Sequence, residues 1–287
     1  MVTTAAGGPT VRRIMVGLEL RRMRESCGIT REAAGYVIRG SESKISRLEL
    51  GRVGFKPRDI LDLLTFYGVH DDATRDALLA LAKEANSPGW WHTYDDVLPG
   101  WFQTYVGLEE SAQLIRGYEV QFIPGLLQTE DYARAVTLSG APGLSAEETE
   151  RRVRLRMTRQ LALDRPNPPA LWIVLDEGAL RRPMGDRQVM RGQLTRLIQL
   201  VDRPDVTLQV MPFRFGAHAG DGGAFSILRF PEPDVPDIVY IEQLASALYL
   251  DKPVEVDSYL EVMEQLCLQA EPVANTTKVL QQILADI

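Results

Sequence analysis

Apolar side chains recur at helical spacing in two neighbouring stretches of the chain, residues 30–38 and residues 41–50. Thr30 and Ser41 stand at the starts of these stretches, and both residue types are preferred helix N-caps because their side-chain oxygens accept hydrogen bonds from exposed backbone N–H groups. Gly40 lies between the stretches, where we expect it to adopt a left-handed or otherwise strained conformation. The pattern predicts two short helices joined by a tight turn.

The second of these helices divides its side chains between two faces. Ile45 and Leu48 are expected to point inward. The small residues Ala34 and Gly35 in the first helix would allow the two helices to cross closely, so that the second helix can enter a DNA major groove. The side chains expected to point outward are Glu42, Ser43, Lys44, Ser46 and Arg47.

Helical spacing continues through most of the first 86 residues. Residues 11–86 are expected to form five helices, whereas residues 1–10, rich in Gly, Ala and Thr, are expected to be disordered. Residues 87–101 contain three of the four tryptophans and are interrupted by proline. Because large rings left in water would form an exposed apolar patch, this aromatic linker is expected to pack on a neighbour.

Residues 102–287 mix helical and strand patterns. The continuous apolar run at 170–175 predicts a strand that is buried on both faces. Ser145 and Glu148 fit a capping box that opens a helix. Further strands are expected at residues 116–123, 206–211, 225–230, 238–242 and 248–250. The predicted class is α+β, with an all-α five-helix domain followed by a mixed α+β domain.

Residues 45–51, which read ISRLELG, resemble the ending of the recognition helix in the XRE-type helix-turn-helix domain. The resemblance implies binding to double-stranded DNA, although Gly35 stands where that family usually has Ala. The alternative to a DNA-binding unit is an ordinary helical hairpin whose charged face is exposed to solvent. The base-reading candidates implied by the resemblance are Glu42, Ser43 and Arg47. The implied phosphate contacts are Arg31, Lys44, Arg52 and Lys56.

Four separated segments of the second domain carry another resemblance. They are residues 124–134 (PGLLQTEDYAR), 175–182 (LDEGALRR), 207–213 (TLQVMPF) and 216–225 (GAHAGDGGAF). Together they resemble the C-terminal domain of a large actinobacterial family of XRE-type regulators, often described as antitoxin-like. The resemblance implies a transcriptional regulator that is often encoded beside a small partner protein, and binding of the regulator to such a partner is expected from it.

Charge is distributed unevenly along the chain. Residues 1–60 contain 12 Lys and Arg against 6 Asp and Glu, a net charge of +6, so the remaining residues carry −13 of the total of −7. A basic N-terminal segment can displace counterions from DNA phosphates, and the acidic remainder of the chain is repelled by DNA. The asymmetry agrees with a DNA-binding N-terminal domain.

Two cysteines, Cys27 and Cys267, lie far apart without a CxxC pattern, so buried thiols are favoured over a disulfide, a zinc site or a nucleophile. No apolar run approaches the ~18 residues of a membrane span, and the N-terminus lacks the apolar centre of a secretory signal. We therefore expect a cytoplasmic protein with no membrane association.

Asp176 and Glu177 at the end of a buried strand, and His218 in a glycine-rich loop, are the candidates for a ligand pocket. The alternative is structural, with the two carboxylates capping a helix and His218 making a hydrogen bond within the loop. No nucleophile elbow, phosphate-binding loop or metal-ligand spacing is present, so an enzyme, a metal site and a cofactor are not expected.

The helix that follows Ser145 carries five arginines. Glu147, Glu148 and Glu150 lie about one helical turn from several of them, which favours a solvated, ion-paired face over a second nucleic-acid site. The five residues are Arg151, Arg152, Arg154, Arg156 and Arg159.

Two functions remain open for the protein. The first is a sequence-specific DNA-binding regulator, expected to be a homodimer, whose C-terminal domain binds a small partner protein or mediates dimerisation. The alternative is a ligand-sensing regulator with a small-molecule pocket in that domain.

Overall fold

The computed structural model describes residues 8–287, which form two compact units. The described residues up to His92, together with Pro231–Val235, form the first unit; Thr93–Phe230 and Pro236–Ile287 form the second. The first is helical and the second combines helices with a six-stranded sheet, which confirms the predicted α+β class. Among the described residues, no helix is long and apolar enough to cross a membrane.

The first unit begins with five helices. Proline occupies the first turn of two of them, where its missing N–H costs nothing. Helix formation starts earlier than expected, because Pro9 and Thr10 are already helical; residues 1–7 of the expected disordered tail lie outside the described residues. The helices are α1 (Pro9–Ser26), α2 (Arg31–Val37), α3 (Glu42–Glu49), α4 (Pro57–Phe66) and α5 (Asp72–Ala85).

The core of the first unit consists of aliphatic side chains from all five helices, including Leu20, Ile45 and Leu64. Helices α1 and α3 approach each other closely at Gly17. A Cβ atom at this position would lie 2.5 Å from the carbonyl oxygen of Glu49, so only glycine fits without a shift of backbone. This contact fixes α3 against the longest helix of the unit.

The second unit contains one sheet, with the strand order β3-β2-β1-β4-β5-β6. Strands β1, β2 and β3 pair in parallel, and the other neighbours pair antiparallel. Leu171 and residues 173–175 of β2 are buried and lie on both faces of the sheet, as predicted, whereas Ala170 is exposed and Trp172 is partly buried. The strands are β1 (Leu114–Glu119), β2 (Ala170–Asp176), β3 (Val206–Met211), β4 (Phe225–Arg229), β5 (Ile238–Glu242) and β6 (Ala247–Leu250).

Seven α-helices accompany this sheet. The predicted capping box is confirmed at the start of α8, where the Ser145 side chain accepts from the backbone N–H of Glu148 and the Glu148 side chain accepts from that of Ser145. The helices are α6 (Gly100–Ser111), α7 (Glu130–Gly140), α8 (Ala146–Gln160), α9 (Glu177–Arg181), α10 (Arg187–Val201), α11 (Pro253–Gln269) and α12 (Thr276–Asp286).

The two faces of the sheet have different roles. On one face, Tyr118, Val174 and Val239 pack with Leu266 of α11 in a dry core. Side chains alternate between faces along a strand, so Gly117 and Glu119 of β1 and Tyr240 and Glu242 of β5 point to the opposite face. Those residues line a cavity that is described below.

The tryptophans of the predicted aromatic linker are divided between the two units. Trp91 is fully buried, and its ring meets that of Trp90 edge to face with centroids 5.9 Å apart. Trp101 belongs to α6 of the second unit, where its carbonyl oxygen accepts a hydrogen bond of 2.6 Å from the Tyr249 hydroxyl.

Candidate functional site

The turn between α2 and α3 is built largely as its sequence predicts. The side chain of Thr30 accepts from the backbone N–H of Ala33, and that of Ser41 accepts from Lys44, both at 3.2 Å, which confirms the two caps. The expectation for Gly40 is wrong, because the positive φ of 51° belongs to Arg39. The turn still contains one residue in the left-handed conformation, but this residue is Arg39.

Close packing against backbone explains Gly35, whereas the atom nearest to Gly40 belongs to a flexible side chain. A Cβ atom at Gly40 would lie 2.7 Å from the Lys44 side chain, and one at Gly35 would lie 3.0 Å from the backbone of Ser41. Gly35, where the XRE pattern usually has Ala, therefore lets the start of α3 approach α2 more closely. The expected close crossing is confirmed.

Helix α3 presents the three predicted base-reading residues to solvent. Glu42, Ser43 and Arg47 are exposed, whereas Ile45 and Leu48 are buried in the core of the unit, which confirms the predicted inward face. Their spacing along the helix puts all three polar side chains on the outward side. This arrangement is the one that a recognition helix needs to enter a major groove.

Glu49, the acidic residue of the ISRLE pattern, is buried rather than exposed. It accepts hydrogen bonds from Arg24 of α1 at 2.5 and 3.0 Å, and from Arg31 of α2 at 2.9 Å. The hydrogen bond with Glu49 raises the pKa of Arg24 above its ordinary value. One carboxylate therefore joins three helices, and Arg31, a predicted phosphate contact, is engaged within the protein.

The other three predicted phosphate contacts differ in whether their charge is already paired within the protein. Lys44 forms an ion pair of 2.6 Å with Asp59, which competes with contact to a phosphate. Arg52 and Lys56 are exposed, and neither has an ion-pair partner among the residues that the structure describes. These two residues, in the segment after α3, are the better placed of the four.

The second unit encloses a cavity of about 790 Å³ on the face of the sheet opposite α11. Apolar and aromatic side chains from α6, from residues 120–128 and from strand β2 form much of its wall. Within α6, the rings of Phe102 and Tyr105 stack with their centroids 5.3 Å apart, and Tyr105 also meets Tyr240 at 4.2 Å. A cavity of this size and lining is typical of a small-molecule site.

A buried ion pair crosses one wall of this cavity. Arg159 of α8 donates two hydrogen bonds of 2.7 Å to the two carboxylate oxygens of Glu109 in α6. Burial alone would lower the pKa of Arg159, but the charge and hydrogen bonds of Glu109 raise it above its ordinary value. The guanidinium also lies over the rings of Phe102 and Tyr105. The charge of Arg159 therefore has a carboxylate partner inside the protein.

Two further arginines of α8 line the cavity, and within residues 8–287 neither forms an ion pair with a carboxylate. Arg156 donates from Nη1 to the side-chain oxygen of Gln128 at 3.2 Å and to the carbonyl oxygen of Ala133 at 3.4 Å. Burial lowers its pKa to about 10. Arg152 has a buried Nε with no hydrogen-bond partner in the described part of the chain.

Two carboxylates complete the charged groups of the cavity. Burial, followed by the negative charge of Glu242, raises the pKa of Glu119 to about 8. Glu242 accepts a hydrogen bond of 2.8 Å from the Tyr240 hydroxyl. At neutral pH Glu119 is therefore mainly protonated and able to donate a hydrogen bond.

The arginines of α8 form the expected solvated, ion-paired face only in part: Arg154 is exposed and Arg151 pairs with Asp96, whereas Arg152, Arg156 and Arg159 line the cavity. Among the described residues, none of the five has an ion pair with Glu147, Glu148 or Glu150; Glu150 pairs with Arg134 instead.

The cavity itself was not predicted from the sequence. The available signal was the spacing of Arg152, Arg156 and Arg159, which falls on one helical face.

The three predicted pocket residues lie together, but outside this cavity. Asp176 caps α9 by accepting from the backbone N–H of Gly178 at 2.7 Å, and Glu177 accepts from that of Phe213. The Nε2 atom of His218 lies 3.1 Å from the Tyr118 hydroxyl and 3.9 Å from Asp176. All three have partners within the protein, so the cavity is the better candidate for a ligand site.

One of the two cysteines differs from the prediction that both thiols are buried. Both are free, but Cys27 is exposed rather than buried, and its thiol donates to the carbonyl oxygen of Tyr67. Burial raises the pKa of Cys267 to about 11, which keeps it a neutral thiol. No group of three His, Cys, Asp or Glu side chains within residues 8–287 is arranged to hold a metal ion.

The fold and the exposed face of α3 define a protein of the helix-turn-helix class, and residues 16–78 match the family described as "Helix-turn-helix domain". Residues 102–282 match the family described as "Domain of unknown function (DUF5753)". Because the second match spans more than half of the chain, the protein belongs to the DUF5753 family. No curated protein and no solved structure matches the chain.

Proposed function

We propose that the protein is a sequence-specific DNA-binding regulator of transcription that inserts α3 into the major groove. The observation that carries this proposal is the exposure of Glu42, Ser43 and Arg47 on a helix whose opposite face is anchored by Ile45 and Leu48. Side chains at these positions reach base edges when such a helix lies in the groove. Arg52 and Lys56 would hold the neighbouring phosphates.

Selection of duplexes from a random library by the full-length protein tests this proposal. We expect enrichment of one shared motif, because base-edge contacts discriminate between sequences whereas phosphate contacts do not. Binding that depends on salt but enriches no motif would show a non-specific DNA binder and contradict the proposal.

We further propose that the regulator acts as a homodimer, without enzymatic activity, in the cytoplasm. Each chain has one recognition helix, which reads only a few base pairs, so a second copy about one helical turn away would supply the missing specificity. The expected motif is then two-fold symmetric. Light scattering at micromolar concentration that detects only monomer, together with a single half-site in the footprint, would exclude the dimer.

The resemblance of the second domain to actinobacterial antitoxin-like regulators supports a small protein partner, and its excess of negative charge favours a basic or mixed-charge one. Co-purification with the full chain, followed by reconstitution from purified components, tests this idea. Absence of a stoichiometric partner would count against it.

A second candidate function is ligand sensing, and the cavity of about 790 Å³ favours it. A molecule bound there would regulate transcription only if its affinity differed between the DNA-bound and the free protein. The size, apolar walls and charged groups of the cavity define the molecule that it would accept.

A further inference from the structure

We propose that the cavity of the second unit binds a small, mainly apolar molecule carrying a single carboxylate, with Arg156 and Arg152 holding its negative charge. The site is contained within one unit, so binding itself does not depend on DNA. The role of the molecule as a signal rests on the proposed function.

Size and lining determine the body of the ligand. A volume of about 790 Å³ lies within the ~300 to 1,000 Å³ typical of sites for drug-sized molecules. The walls include the rings of Trp101, Phe102 and Tyr240 and the aliphatic side chains of Leu127 and Ile173. These walls favour an alkyl chain or an aromatic ring as the body of the ligand, because its apolar surface would be removed from water.

We infer a negatively charged group on the ligand because two arginines of α8 differ in their partners. Arg159 donates from Nε and Nη2 to the two carboxylate oxygens of Glu109, so its charge has a partner within the protein. Arg156 lies one turn earlier, lines the cavity, and within the described residues has only neutral oxygen acceptors. Burial lowers the pKa of Arg156 to about 10 in spite of the negative charge of Glu242, and a carboxylate from a ligand would relieve this cost through charge-assisted hydrogen bonds.

Arg152 extends the positive site by a further turn of α8. Its Nε is buried and unpartnered in the part of the chain that the structure describes. Arg152 and Arg156 are separated by four residues, so their side chains are neighbours on the helix surface. A carboxylate between them would receive donors from two guanidinium groups, which suits its two oxygens.

The charge balance of the cavity specifies a monoanion. The pair of Arg159 and Glu109 is neutral as a whole, and Glu242 offsets one of the other two arginines. Glu119 is mainly protonated at neutral pH, so it does not cancel the remaining positive charge. One unit of positive charge is therefore left for the ligand.

The protonation of Glu119 depends on the groups around it. Burial is the main cause, Glu242 of β5 adds repulsion, and the phenols of Tyr105 and Tyr132 are the other titratable groups that interact with it. As pH rises through about 8, Glu119 becomes negative and opposes a bound carboxylate. We therefore expect affinity for the acid to fall across this range.

Calorimetric titration of the full-length protein with matched probes tests the proposal. The probes are 4-phenylbutanoate, octanoate and decanoate, each beside its primary amide and its amine. We expect at least one acid to bind saturably, its amide to bind at least about tenfold more weakly, and its amine not to bind. Equal affinity for acid and amide, or no binding by any acid, would overturn the proposal.

Variants of α8 locate the binding site. Arg156→Gln should weaken acid binding by roughly thirtyfold or more, with partial recovery in Arg156→Lys, and Arg152→Gln should act in the same direction. Arg154→Gln is the matched control, because Arg154 lies on the same helix and is exposed. Thermal unfolding confirms that each variant is folded. An equal loss in the Arg154 variant, or no loss in either cavity variant, would overturn the proposal.

A separate measurement distinguishes failure of the site from failure of the proposed function. Anisotropy of a labelled operator duplex, with and without the acid, reports DNA binding alone. Acid binding without sequence-specific DNA binding would support the site and contradict the regulator. DNA binding without acid binding would contradict the site and leave the regulator supported.

Discussion

The guanidinium of Arg24 donates to both carboxylate oxygens of Glu49, at 2.5 and 3.0 Å, and both side chains are buried. The pair joins α1 to the last residue of α3, and Arg31 adds a bond from α2 to the same carboxylate. The orientation of the proposed recognition helix is thus held by one charge cluster within the protein. Under the proposed function, Glu49 would support DNA binding by holding α3 in place, without itself contacting the DNA.

Replacement of Glu49 should loosen this part of the first unit. Glu49→Gln removes the main counter-charge of Arg24, which then keeps only a 3.2 Å contact with the exposed Glu25, and breaking a buried pair in this way costs about 3 to 5 kcal/mol. Hydrogen exchange of the full chain should show lost protection in α1 and α3 and unchanged protection in α10. Glu19→Gln, at an ion pair with the exposed Arg22, should change protection little. Similar loss in both variants would contradict the role given to Glu49.

Two glycines in helices should respond oppositely to alanine. Gly17→Ala puts a Cβ atom 2.5 Å from backbone of α3 and should destabilise the first unit by about 1 to 3 kcal/mol. Gly192→Ala in α10 meets nothing within 4 Å and should stabilise its unit by up to about 1 kcal/mol, since alanine is the better helix former. Hydrogen exchange of α1 and α10 measures both effects. A stabilising Gly17→Ala would disprove the close crossing.

Exposed side chains around α3 should separate into two kinds of contact. Arg47→Ala and Ser43→Ala should relax sequence preference, with about 1 to 3 kcal/mol of discrimination lost at the bases concerned. Arg52→Ala and Lys56→Ala should instead weaken binding to all duplexes alike and reduce the salt slope by about 1 each. Binding to a duplex library at two salt concentrations distinguishes them. A uniform loss in all four variants would show that α3 is not the reading helix.

Stability of the second unit should depend on pH through Glu119. Its pKa is raised from 4.5 to about 8 in the folded protein, so the folded state holds more protons than the unfolded state between these values. The free energy of unfolding should therefore fall as pH rises from 4.5 to 8.

Glu119→Gln should remove this dependence and unfold at a higher temperature than the wild type above pH 8. Glu261→Gln, an exposed position on α11, makes the same charge change and should leave the slope intact. Thermal unfolding between pH 5 and pH 9 provides the comparison. Parallel curves for wild type and Glu119→Gln would show that Glu119 ionises normally.

Features that depend on local spacing were predictable from the sequence. The caps at Thr30, Ser41 and Ser145 formed as expected, because an N-cap needs only a side-chain oxygen beside the first turn of its own helix. The inward face of α3 and the buried strand β2 followed equally from periodicity. Local geometry and apolar patterning thus determined the helix-turn-helix and the α+β class.

Features that depend on distant partners were decided by the tertiary structure. Lys44 pairs with Asp59, and Arg159 with Glu109 fifty residues away, so two basic residues that look solvent-facing in the sequence are engaged inside the protein. The cavity beside Arg156 exists only because α6, α8 and β5 meet there. The sequence specifies which side chains are charged. Their burial and their choice of partner depend on packing between remote segments, and this packing determines whether a charged side chain is paired within the protein.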